Sequence, residues 1–190
     1  MGKALVLCAD GCEESEALLV VDILRRAGIT TQTVSVNETH RVVSLHDVVI
    51  QTDLTIKDVD EKGVELCVLP GGLKGVDVLM ANGMAKKLCR DLAAQGKRLA
   101  AVCGGPAALA GYGVLDGYHA TVFPALKDKL CGAISVDYPV VVDRNITTGR
   151  ALGSTIPFAL SLVRQLAGDE AVTKVRSAIV FHDPVEEQRY

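Results

Sequence analysis

The chain has 190 residues, 49% hydrophobic and 23% charged, the proportions of one globular domain with a sizeable core. A formal charge of −3 and a pI near 5.8, with no Lys/Arg cluster interleaved with aromatics, offer nothing to a phosphate backbone, and nucleic-acid binding is not expected. Aromatics make up 4% and tryptophan is absent, so the core must be built from Val, Leu, Ile and Ala, which favours strands covered by helices over a sandwich.

Lys3 to Ala9 reads as a buried strand, Asp10 to Glu13 as a turn, and Glu14 to Ala27 as a helix with Ala17, Leu18, Val21 and Leu24 at helical spacing, ended by Gly28. The apolar run from Ala4 meets Asp10 at once, too short for a signal-peptide core or a membrane span, and a cytoplasmic protein without membrane attachment is expected. Thr30 to Val36 is the next strand, and Arg41 to Gln51 alternates like two short strands around His46-Asp47. Asp53 to Asp60 looks irregular. Val64 to Leu69 is a third buried strand running into Pro70-Gly71-Gly72, whose glycines expose backbone N–H groups, and Met84 to Gln95 is helical.

The most telling segment follows. Leu99 to Val102 is an apolar strand that stops at Cys103, and a helix pattern from Pro106 to Tyr112 begins directly after Gly104-Gly105. Small glycines permit a tight strand-to-helix turn, and Pro106 suits a first helical turn, where its missing N–H costs nothing. Sulfur at a helix N-terminus is expected to favour the nucleophilic thiolate. Tyr118 to Val122 and Val140 to Val142 are further short strands, with Ile146 to Thr148 as a candidate for another. Thr155 to Ala167 and Glu170 to Ser177 are the last helices. The strand–helix alternation implies a doubly wound, mainly parallel α/β sheet with helices on both faces, spanning residues 1–190 as a single domain. Ligands of such sheets bind beyond the carboxyl ends of the strands, where Asp10 to Glu16, Pro70 to Gly72 and Cys103 to Gly105 all fall.

The six cysteines include no C-x-x-C, and the four histidines have no ligand spacing with them, so neither disulfides nor a metal site is expected. Most of these thiols read as small buried hydrophobes. By residue type alone, Cys103 is open between nucleophile and inert buried thiol, and Glu16 between a working acid and a solvated charge in the first turn of a helix.

Across nearly its whole length the chain resembles the ThiJ/PfpI superfamily, in the branch of the parkinsonism-associated deglycase and its bacterial relatives. The resemblance is carried by Gly11-Cys12-Glu13-Glu14-Ser15-Glu16, Arg25-Arg26-Ala27-Gly28-Ile29, Asp47-Val48-Val49-Ile50, Val68-Leu69-Pro70-Gly71-Gly72, Ala100-Ala101-Val102-Cys103 and Phe123-Pro124-Ala125-Leu126-Lys127-Asp128-Lys129. It implies a flavodoxin-like fold, a homodimer, Cys103 as the reactive cysteine, Glu16 as the carboxyl group beside it, and N–H groups of Gly71, Gly72 and Gly104 around substrate oxygen. The implied activity is that of a cofactor-independent glyoxalase or protein deglycase acting on methylglyoxal, glyoxal or early glycation adducts. The competing expectation is an oxidative-stress sensor or redox-regulated chaperone using the same cysteine.

Departures from the family pattern are informative. Gly104 stands where protease-like members carry histidine, so a Cys-His-acid peptidase is not expected. Phe123 replaces a histidine of the human-type branch, and His46 an arginine common in relatives. With Arg150, which matches a family arginine near the pocket, these residues are candidates for the pocket or the dimer edge; the plainer reading of His46 is structural, and of Arg150 a tie between loops.

Overall fold

The computed structural model describes residues 2–182 and 187–190. In chain order the strands are β1 (Lys3–Cys8), β2 (Thr31–Ser35), β3 (Arg41–Val43), β4 (Val49–Gln51), β5 (Leu54–Thr55), β6 (Val64–Leu69), β7 (Arg98–Val102), β8 (His119–Ala120), β9 (Ile134–Ser135), β10 (Val140–Asp143), β11 (Ile146–Gly149) and β12 (Gln188–Arg189). The helices are α1 (Glu14–Arg26), α2 (Leu73–Ala81), α3 (Gly83–Ala94), α4 (Gly105–Gly111) and α5 (Thr155–Ala178). Eight strands form one sheet in the order β12-β10-β11-β7-β6-β1-β2-β5, parallel except where β10 runs against β11. The doubly wound α/β arrangement expected from the alternation is the one observed.

The pleat explains why the inner strands are continuous apolar runs. Leu5 and Leu7 of β1, Cys67 and Leu69 of β6, and Leu99 and Ala101 of β7 pack toward Val76, Leu79, Leu88 and Leu92 of α2 and α3. The alternate residues Ala4, Val6, Leu66, Val68, Ala100 and Val102 face Ala17, Val20 and Leu24 of α1 and Phe158 and Leu162 of α5. A strand buried on both faces has no polar side to present. Tyr112, 2% exposed at the end of α4, satisfies its hydroxyl by donating to Leu79 O at 2.6 Å.

Several short elements differ from the sequence reading. No helix is read between Gly72 and Met84, yet Leu73–Ala81 is helical; Gly75 breaks its apolar pattern, and Asn82 separates it from α3 by accepting from Met84 N and Ala85 N. Asp53 to Asp60 is not irregular throughout: Leu54–Thr55 pairs with β2, and Ile56–Asp58 forms a 3-10 turn. The strand expected over Tyr118 to Val122 shrinks to His119–Ala120 and pairs with Ile134–Ser135 outside the main sheet. The hairpin around His46-Asp47 is observed, and α5 runs through both expected helical stretches with a break at Gly168, whose φ is 81°.

Candidate active site

The nucleophile candidate stands on a bend held from both sides. The Cys103 N–H donates to Gly149 O at 2.9 Å and its carbonyl accepts from Phe123 N at 2.8 Å, pinning the residue at φ 59°. A non-glycine residue in this left-handed region is strained, and the surrounding bonds hold it there. The bend turns the chain from β7 into α4 and leaves Cys103 half-buried, the exposure expected of a presented thiol.

Glu16 reaches this bend from the other side of the sheet's carboxyl edge. It lies in the first turn of α1 but is fully buried, so it is not the solvated charge that its helix position alone allows. The β1–α1 and β6–α2 loops are joined by Glu13 N donating to Gly71 O at 3.0 Å and Gly71 N donating to Glu16 Oε2 at 2.8 Å. Gly71 lies between the two chemical groups: a Cβ on it would come 2.7 Å from Cys103 Cβ and 2.8 Å from Glu16 Oε2. Gly72, at φ 90°, is held against Gly11 O and Glu13 N, where no side chain has room.

The electrostatics differ from the sequence reading in one respect. Burial pushes the Glu16 carboxyl up to about 7, against the opposing pull of the Gly71 N–H and the Cys103 thiol, and the charge of Glu13 adds to the rise. Among the described residues Glu16 Oε1 has no hydrogen-bond partner. Burial and the Glu16 carboxylate together push the Cys103 thiol up to about 12, while the Gly104 and Gly72 N–H groups pull it down. The helix N-terminus therefore does not ionise this sulfur by itself. α4 has only seven residues, and desolvation outweighs its dipole. Burial thus biases both groups toward their protonated forms.

Of the other sequence candidates, Phe123 and Arg150 adjoin this centre along the backbone, and His46 lies against Glu13 and Glu14. Phe123, 37% exposed, touches it through its backbone bond to Cys103. Arg150 follows the Gly149 that holds Cys103, but its guanidinium points to Asp137 Oδ1 at 2.9 Å, tying two loops. His46 is largely exposed and its Nδ1 lies 2.8 Å from Glu14 Oε1. His46, Glu13 and Glu14 each bring one ligand atom within 4.8 Å of the others, a donor set that could hold a divalent ion and that spacing in the chain does not reveal. The sequence also gave no sign of the left-handed bend at Cys103, since nothing in the residue type demands it.

The model of the DJ-1/PfpI family matches residues 2–165. The chain belongs to that family. Among curated DJ-1/PfpI relatives, protein dj-1beta of Drosophila melanogaster is 35% identical over 180 residues, covering 94% of this chain and 96% of its own length. Deglycase TK1284 of Thermococcus kodakarensis is 29% identical over 166 residues, covering 86% of this chain and 99% of its own. A solved DJ-1 superfamily protein from Salmonella typhimurium superposes with a TM-score of 0.92 at 34% identity, over 96% of this chain and 100% of that one. Toxoplasma gondii DJ-1, solved in an oxidized form, gives 0.92 at 30% identity over the same shares. The flavodoxin-like architecture is thus the family's own. No helix among the described residues is long and apolar enough to cross a membrane.

Proposed function

We propose that this DJ-1/PfpI protein is a cysteine-dependent, cofactor-independent glyoxalase and deglycase acting on methylglyoxal, glyoxal or early glycation adducts, working in the cytoplasm as a homodimer. One observation carries the reading: a fully buried carboxyl, Glu16, anchored by the Gly71 N–H beside a half-buried thiol on a strained bend. A relative that bears the name deglycase supports it.

In this scheme Glu16 carboxylate takes the thiol proton as Cys103 sulfur attacks the aldehyde carbon of methylglyoxal, and passes it to the carbonyl oxygen, giving a hemithioacetal. The N–H groups of Gly72 and Gly104, near enough to the sulfur to draw its pKa down, stabilise the oxygen as it gains charge, with Gly71 positioning the acid. Glu16 then removes the proton from the carbon that bears sulfur, giving an enediolate, and returns it to the neighbouring carbon, while the hemithioacetal hydroxyl gives up its proton to the former ketone oxygen, leaving the thioester of lactate. Water hydrolyses it to lactate and frees the thiol. A carboxyl poised near pH 7 can both accept and return protons, whereas a solvent-exposed glutamate would hold them too weakly.

Lactate formation from methylglyoxal without glutathione, compared between wild type, Cys103→Ser and Glu16→Ala, tests the scheme. Rates should fall to the buffer background in both variants; equal rates in all three proteins would remove it.

A second reading is favoured by the oxidized Toxoplasma relative. Peroxide would oxidise Cys103 first to sulfenate with loss of water, then with a second equivalent to sulfinate, which a protonated Glu16 would hold by a hydrogen bond. Mass spectrometry after graded peroxide separates the readings: sensing requires Cys103 to be oxidised before Cys67 and Cys89.

A further inference from the structure

The end of the sheet opposite Cys103 carries a second concavity. Arg98 opens β7 and Cys103 follows its close, so the two ends lie roughly 16 Å apart at the rise of a strand. Around Arg98 a cavity of about 270 Å³ is lined by Gly96, Val142, Asn145, Gln165 and two further arginines, Arg144 and Arg189. Among the described residues that line it are three arginines and no acidic residue.

Their existing partners do not use them up. Arg144 gives Nε to Asp143 Oδ1 at 3.0 Å and one terminal nitrogen to Gly117 O at 2.9 Å, and its guanidinium carbon lies 3.4 Å over the centre of the Tyr118 ring. Arg189 is bonded to Glu187, whose single bonded oxygen also accepts from Arg164 at 2.9 Å, so one carboxylate is shared by two cations. The Arg98 guanidinium has no hydrogen-bond or ion-pair partner among the described residues. Gln165 commits its amide nitrogen to Thr147 Oγ1 at 2.9 Å, and its carbonyl oxygen is without a partner among the same residues.

We propose that this cavity binds a small phosphate monoester, with the phosphate among Arg98, Arg144 and Arg189 and a hydroxyl of the organic part donating to Gln165. A guanidinium fork matches the oxygen spacing of phosphate, and charge-assisted bonds of this kind are the strong ones. A tetrahedral dianion has three terminal oxygens for three arginines, whereas a carboxylate has two. The site is independent of the chemistry at Cys103.

Calorimetric titration of the full chain with inorganic phosphate and with glycerol 3-phosphate, at ionic strength fixed with potassium chloride, tests it. Saturable binding of both is expected, with the monoester tighter and its advantage lost in Gln165→Ala. Arg98→Gln should weaken both by about tenfold or more, the equivalent of one charge-assisted hydrogen bond. Arg189→Gln, at an exposed position, should weaken both as well and serves if the Arg98 variant fails to fold. Cys103→Ser should bind as wild type does. No saturable binding, unchanged affinity in both arginine variants, or loss of binding in Cys103→Ser would overturn the site; equal affinity for the two anions would overturn the Gln165 contact.

Discussion

The Gly71 N–H and the Glu16 carboxylate, 55 residues apart in the chain, are joined by a 2.8 Å hydrogen bond that fixes the acid in place beside Cys103. The bond is possible because residue 71 has no side chain. A methyl group there would meet Cys103 on one side and Glu16 on the other.

Gly71→Ala should therefore damage the site more than the fold. We expect kcat/KM for methylglyoxal to fall by about 100-fold, the scale of a misplaced catalytic group. The cost in unfolding free energy should be about 1–3 kcal/mol from overpacking. Steady-state kinetics beside urea denaturation checks both, and full activity in the variant would show that the Gly71 contact does not position the acid.

The Glu16 carboxyl near 7 has two consequences with opposite pH trends. Activity should rise with pH through about 7, as the carboxylate that takes the thiol proton forms, and Glu16→Gln should stay at the buffer background across that range. Stability should run the other way. The folded carboxyl holds its proton up to about 7 and the unfolded one only to about 4.5, so the unfolded state sheds its proton first as pH rises. Folding is weakened progressively from about pH 4.5 to 7 and changes little beyond, by about 3 kcal/mol at most. Glu16→Gln, which keeps an oxygen for Gly71 N, should then be more stable than wild type at pH 8 and not at pH 4.5; thermal melts at the two pH values decide it.

Tyr112 offers a control far from the chemistry. Its hydroxyl is buried against Leu79 O, which Asn82 N also satisfies at 3.0 Å, so removing the hydroxyl strands no carbonyl. Tyr112→Phe should cost about 1 kcal/mol of stability and leave the kinetics of Cys103 unchanged. A loss larger than about 3 kcal/mol would mean that the hydroxyl organises α2 and α4 beyond this one bond.

The inner strands were legible because β1, β6 and β7 are buried on both faces and read as nearly continuous apolar runs, interrupted in β6 only by Glu65. Helices α1 and α3 were legible from their spacing, and Cys103 from the abrupt change of pattern at Gly104-Gly105. Less of the rest could be read. Helix α2 is nine residues long and carries Gly75, and the two-residue strands Leu54–Thr55, Ile134–Ser135 and Gln188–Arg189 exist only because a neighbouring strand offers them bonds. The nearness of Glu16 to Cys103 came from family resemblance, since no spacing rule links residues 87 positions apart.

Local chemistry alone, written along the chain, decided where strands and helices form and which cysteine stands at a turn, because periodicity and glycine act over a few residues. The tertiary structure decided how strongly the two groups of the site hold their protons. Burial by segments remote in sequence raises Glu16 to about 7, and burial with the neighbouring carboxylate overrides the helix end at Cys103, because desolvation depends on everything packed around a group.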